Sequence, residues 1–352
     1  MIFIATKIIV GIHVLVYFGT SLVVCNEDIP FCDKRLKELR KDEKDWSERC
    51  LNGEGENLVT PSCEAKKEYN HERMCVYTKI CFYKGPYAEP YLLIKSKSEI
   101  HAIDLTTLDT TVIIGGIAGR TMDIDTVDNK LYIADNNSIS RVNLDDICVE
   151  VILQNVSVRD MAIDLLRSSR RIFWTEYLEK QIFVADLGDK KKRVLMKTTN
   201  YPSRIAFDAK LKYLFWTEPI AKFVRRINLV SNDIVTFASR KFSKSYAIAV
   251  DCTKKRVYWL ENEIQSGVHH IFSSDYYGYD QKSIVSGSLN DYLLGVFGGS
   301  LYYLNNDLFS INEMNVCNGT ISRNILVDNN TYYDDLVVVH SSIQPQERLG
   351  EL

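Results

Sequence analysis

Six short strings of β-favouring residues, each opening on an aromatic, recur along this chain at intervals of 41 to 44 residues. The strongest read Phe173-Trp174-Thr175-Glu176, Phe215-Trp216-Thr217-Glu218 and Tyr258-Trp259-Leu260-Glu261, and weaker copies begin at Tyr91 (YLLI), Tyr132 (YIAD) and Tyr302 (YYLN). A repeat of that length with strand chemistry in every unit points to a radial β array, since about 40–45 residues holds one four-stranded propeller blade. Four units carry a short apolar run ending in Asp just ahead of the string, at Asp125, Asp164, Asp208 and Asp251. Two further β-rich runs follow it, as in Ile139–Leu144 and Val149–Gln154. The reading is an all-β chain: a six-bladed propeller with a small cysteine-rich segment at its N-terminus.

The ends of the repeat region fit a closed ring. The first unit lacks its leading strand, while an unused apolar run, Leu336-Val337-Val338-Val339, follows the sixth. Pairing the two removes an exposed edge. The motif series, the Ile-x-Arg-x-x-Leu third strands and the opening Pro90-Tyr-Leu-Leu-Ile with Glu99–Leu105 resemble the YWTD propeller of the low-density lipoprotein receptor family. The resemblance covers residues 85–346. It implies an extracellular receptor or matrix module, neighbouring EGF-like units and a dedicated folding chaperone in the endoplasmic reticulum.

Residues 1–25 place Lys7 before the apolar run Ile8–Phe18 and the small residues Gly19, Thr20 and Ser21. This is the pattern of a secretory signal peptide with cleavage after Ser21 or Cys25, the alternative being an uncleaved membrane anchor. No second span is expected, so the mature product is expected to be secreted, and an exported chain with nine cysteines is expected to hold disulfides. The disulfide candidates are Cys32, Cys50, Cys63, Cys75 and Cys81 before the propeller, with Cys148, Cys252 and Cys317 within it. Both sets are odd, so full pairing needs at least one bond between the regions. Cys81 stands where the last cysteine of an EGF-like module would fall. Residues 26–84 nevertheless lack the Cys-x-Cys of such a module and read as a divergent cap, EGF-like or helical, with Leu36, Leu39 and Trp46 at helical spacing. Residues 347–352 are a tail.

Glycosylation sequons stand at Asn136, Asn155, Asn318 and Asn329, all in blades 2 and 6, which leaves blades 3–5 open to a partner. With the strands of a blade lettered A to D from the axis outward, the B–C and D–A loops share one face, called here the first. On that face Glu176, Tyr177, Tyr201, Glu218 and Glu261 set aromatics beside acids, suited to a basic or amphipathic partner. The second face carries a basic arc that includes Arg170, Arg171, Lys190, Lys191, Lys192 and Arg193, suited to a glycosaminoglycan or an acidic protein surface. Export and a net charge of −3 argue against nucleic acid.

Enzyme chemistry finds little footing. The candidate acids repeat from blade to blade, which fits a turn role better than an asymmetric metal site, and no nucleophile elbow, zinc-protease or phosphate-loop motif occurs. His269 and His270, the one histidine pair, point to opposite faces of a strand. No catalytic residue, metal or cofactor is assigned. The expected function is extracellular binding of a protein or matrix ligand; the alternatives are a calcium-dependent, lactonase-like propeller hydrolase and a structural matrix component.

Overall fold

The computed structural model describes residues 89–144, 148–164, 166, 170–239, 243–305, 310–327 and 331–340. It also gives the backbone of four short strands, Thr6–Ile9, Val14–Tyr17, Ser21–Val24 and Arg73–Lys79. The cap expected over 26–84 and the tail lie outside this set, apart from the backbone of Arg73–Lys79. Six antiparallel sheets form the blades. Blade 3 is typical: strand A is Asp160–Asp164, B is Arg171–Glu176, C is Gln181–Asp186 and D is Lys192–Lys197. Blade 1 takes its innermost strand from the far end of the chain, Tyr333–Val339, which pairs with Tyr91–Ser96 and closes the ring. Outside blade 2, Arg73–Lys79 adds a fifth strand with Cys75 as the Cα partner of Cys148.

Six apolar clusters hold the ring, one in each joint between neighbouring blades. The aromatic doublet of the motif explains why. Successive residues of a strand point to opposite sides, so the two rings of one motif enter two different joints. Trp174 packs back among blade 2 residues such as Ile152 and Val158, while Phe173 packs forward with Leu214 and Trp216 of blade 4. Phe215 and Trp216, and Tyr258 and Trp259, divide in the same way. The third motif residue then ties the next blade: Thr175 Oγ1 donates to Ser203 O at 2.6 Å and Thr217 Oγ1 to Tyr246 O at 3.1 Å.

Blade 1 departs from the expected phase. Tyr91 pairs with Asp104 as Arg171 pairs with Asp186, so the string equivalent to the motif is Leu93-Ile94-Lys95-Ser96, two residues beyond Tyr91. Lys95 takes the place of the motif Thr, is fully buried, and donates to Ser96 O at 2.8 Å and Ile117 O at 3.3 Å. Across the closing joint, Gly295 of blade 6 lets the backbone approach blade 1, since a Cβ there would meet Leu336 and Val338 side chains at 2.7 Å.

Trp174, Trp216 and Trp259 are fully buried. Replacing any one with Ala is expected to destabilise the ring by about 3–5 kcal/mol. Urea denaturation reads the loss directly. Unchanged stability in all three would contradict the joint packing.

Candidate functional site

The ring axis is closed toward the first face by a polar layer that the sequence did not disclose. Asp160, Arg204, Asp335 and Thr121 meet there from four different blades, all buried. Thr121 Oγ1 lies 2.7 Å from Asp160 Oδ1 and 2.9 Å from Asp335 Oδ2. Arg204 Nη1 donates to Asp160 Oδ1 at 3.3 Å and Asp335 Oδ1 at 3.4 Å, and Nη2 to the Asp334 carbonyl at 2.9 Å. The remaining carboxylate contacts run along the ring. Asp335 accepts the Met122 N–H, Asp123 the Ile163 N–H and Asp160 the Ile205 N–H, each at 2.8–3.0 Å and each one blade onward.

This layer borders an axial cavity of about 220 Å³ lined by innermost strands of all six blades, including Met122, Asp123, Phe207, Ile248, Gly295 and Val338. Burial pushes the Asp123 carboxyl up to about 7, against the pull of the Ile124 and Ile163 N–H groups. Burial, aided by Asp160, likewise raises Asp335 to about 6 despite Arg204. Burial lowers the Lys95 ammonium, with Asp334 and Asp335 opposing. Among the described residues no group of three His, Cys, Asp or Glu side chains is arranged to hold a metal ion.

On the first face, the acids read from the sequence are turned inward. Glu176, Glu218 and Glu261 are buried and accept the indole N–H of the motif Trp two residues earlier, at 2.9, 2.9 and 2.7 Å. Glu176 also pairs with Lys192 at 2.9 Å, and Glu218 with Arg225 at 3.3 Å. The two tyrosines do meet: Tyr177 and Tyr201 stack at 4.8 Å, with Lys180 Nζ 4.6 Å above the Tyr201 ring.

Beyond them stand residues the sequence reading passed over. Leu178, Ile220 and Ile264 are 77%, 51% and 52% exposed, one in the B–C loop of each of blades 3, 4 and 5. Leu178 and Ile220 hold the same place in matching turns, closed by Lys180 N–H to Tyr177 O and Lys222 N–H to Pro219 O. The signal was present in the sequence: an aliphatic residue at the second position of a four-residue turn, where polar residues are the rule.

The second-face arc is threaded with acids. Arg170 of blade 3 bonds Asp125 and Asp128 of blade 2, and Lys190 reaches Glu150 of blade 2 at 2.9 Å. Arg171 and, from blade 4, Lys212 bond Asp164 at 2.8 and 3.1 Å. Lys192 lies over the Phe183 ring, 4.1 Å away. Lys191 and Arg193 are exposed. The turn acids therefore clasp neighbouring blades, and Tyr276 OH of blade 5 continues the series onto Asp208 at 2.9 Å. Asp251 breaks it: its Oδ2 is buried without a hydrogen-bond partner, and the next blade has Gly298-Gly299 at its corresponding turn.

Asn136, Asn155 and Asn318 are exposed in loops of blades 2 and 6, and Asn329 lies outside the described residues. Cys252 and Cys317 are free thiols. Burial pushes the Cys252 thiol up to about 12. The side chains of Cys32, Cys50, Cys63, Cys75, Cys81 and Cys148 lie outside the described set. Among the described residues no helix is long and apolar enough to cross a membrane.

No protein-family model matches the chain. Among solved structures it is similar to a chain in the crystal structure of a nidogen/laminin complex, at 19% identity over 72% of this chain and 99% of that one, with a TM-score of 0.64. It is also similar to hydrazine synthase of Kuenenia stuttgartiensis, at 14% identity over 64% and 73%, with a TM-score of 0.53. Strand order and these likenesses together define an all-β, six-bladed β-propeller. Activity does not follow from the fold, and rests on the surfaces described above.

A carboxyl with a folded pKa above its unfolded value of about 3.9 holds its proton more tightly in the fold, so the neutral form favours folding. For Asp123 and Asp335 that contribution is complete below about pH 4 and is lost as pH rises through about 6 to 7. The melting temperature is expected to rise as pH falls from about 8 to about 5, and Asp123→Asn to flatten the slope. A wild-type profile that falls over that interval would mean the axial carboxylates stay ionised in the fold.

Proposed function

We propose that this chain is a secreted, glycosylated protein-binding module, not an enzyme, and that it docks partners on the first face of blades 3–5. One observation carries the reading: consecutive B–C loops raise Leu178, Ile220 and Ile264 into solvent on the part of the ring that has no sequon. At the equivalent turn blade 2 carries Asn136-Asn137, polar and within a sequon. Apolar side chains on turns cost solvation when free, and a partner that covers them recovers it. The propeller with the likeness reported above was crystallised in a nidogen/laminin complex, which supports an extracellular protein as the class of ligand.

The axial acids support the same reading, since Asp123, Asp160 and Asp335 are each engaged by backbone of the following blade. A glycosaminoglycan on the second face is the second reading, and exposed Lys191 and Arg193 favour it. The link expected between the cysteine-rich segment and the propeller has a candidate in the backbone register, Cys75 opposite Cys148; antiparallel partners stand about 4.5–5.5 Å apart at Cα, a span a disulfide bridges.

The test uses the full chain secreted from animal cells. A Leu178→Asp, Ile220→Asp, Ile264→Asp triple variant is expected to lose extracellular partners captured by wild type while keeping its melting temperature. Lys191→Glu with Arg193→Glu is expected to leave that capture intact. Loss only in the second variant, together with lost retention on heparin, would move the binding surface to the second face. Peptide mapping without reductant is expected to recover Cys75 joined to Cys148.

A further inference from the structure

The axis of the ring carries one break in an otherwise repeated layer. The residue of each innermost strand that pairs with the first motif position is Ala162, Ala206, Ala249, Gly295 and Val337 in blades 3, 4, 5, 6 and 1, and Asp123 in blade 2. All six line the axial cavity, between aliphatic side chains such as Ile248 and Leu336 toward the first face and Val250 and Val338 toward the second. Asp123 Oδ1 accepts the Ile124 N–H at 2.8 Å and Oδ2 the Ile163 N–H at 3.0 Å, which leaves each carboxylate oxygen a further lone-pair direction. Among the described residues no cation bonds this carboxylate. Arg204, the cation of the lining, is engaged by Asp160, Asp335 and the Asp334 carbonyl. Three carboxylates therefore share the lining with one guanidinium. With no counter-ion beside it, burial is free to hold the Asp123 carboxyl up at about 7.

We propose that the axial cavity is a binding site for a small organic amine, with the ammonium on Asp123 and the apolar body lying toward the second face. An apolar chamber with a placed polar group is the form that small-ligand sites take. The polar layer closes the first-face end, whereas Asp123 and, beyond it, Phe207, Val250 and Val338 are half-buried, so the second face is the way in. A cavity of ~150 Å³ walled by aliphatic side chains takes benzene, and about 220 Å³ has room for a ring with a short aminoalkyl arm. The ammonium supplies the missing charge and donates to the open lone pairs. A neutral analogue leaves the carboxyl protonated, and an anion adds a further negative charge to a desolvated site. This site is separate from the crest of Leu178, Ile220 and Ile264, and neither depends on the other.

Titration calorimetry of the secreted full chain with phenethylamine, its neutral analogue phenethyl alcohol and the anion hydrocinnamate tests this, with hexylamine as an aliphatic amine. Both amines are expected to bind at a single site, the alcohol at least about tenfold more weakly than phenethylamine and the anion not at all. Asp123→Asn is expected to abolish the preference for phenethylamine over the alcohol, with a cooperative melt showing that the ring is folded. Should that variant not be secreted, the side-chain carboxyl carbon resonance of Asp123 in wild type decides: near pH ~7 saturating phenethylamine is expected to move it to its ionised position. An alcohol that binds as well as the amine, an Asn variant that keeps the preference, or a carboxyl resonance that ignores the amine would overturn the ammonium on Asp123. No binding of either amine at millimolar concentration would overturn the site itself and leave the docking face standing.

Discussion

Every blade of this ring depends on a strand that is buried on both sides. Water reaches neither face of Arg171–Glu176 beyond its first residue, so each polar group in it must find a partner inside the protein. The four motif residues solve this in a fixed way. One ring enters the joint ahead and the next ring the joint behind; the hydroxyl reaches forward to the entry loop of the next blade, and the acid turns back to the indole N–H. Two joints are fixed by one four-residue string. A string of that kind repeated around a circle leaves little freedom in where each blade sits.

The axial layer belongs to the same logic at a smaller radius. Arg204 leaves blade 4 and reaches Asp334 and Asp335 in the strand that closes blade 1, so the guanidinium spans the ring between blades distant in order. Removing one partner of such a buried pair leaves the other charge uncompensated, which is far costlier than replacing both with apolar groups. The layer also gives the axial cavity its polar end, where Asp123, Asp160, Arg204 and Asp335 line it beside the apolar residues of the innermost strands.

Much of the architecture was legible because period and motif are local signals. Five motif copies fall in phase, and the closing strand at 336–339 was visible as an apolar run without a partner. Blade 1 is offset by two residues because its copy lacks the aromatic doublet and has Lys95 for the hydroxyl, which leaves Tyr91 as the aromatic nearest in phase. The site was harder. Charge on a letter says nothing about where the side chain ends, and Glu176 looks the same whether it faces solvent or an indole. Asp160, Arg204 and Asp335 are separated by 44 and 131 residues, and only ring closure brings them together. Leu178 and Ile220 are legible as aliphatic residues at turn positions where polar residues are the rule.

The series of clasps on the second face is uneven, and that gives the ring two different mechanical halves. Between blades 2 and 3 and between 3 and 4 the turns are joined by Arg170, Lys190 and Lys212 to carboxylates, contacts at the partly exposed rim that dissolved ions screen. Between blades 5 and 6, Asp251 has no such partner and the joint is carried by Tyr258, Leu260, Leu294, Tyr303 and Met314 packed without water. Cold weakens the apolar clusters of all six joints alike, whereas dissolved ions act on the clasped joints alone, so salt is the condition that tells the two sides of the circle apart.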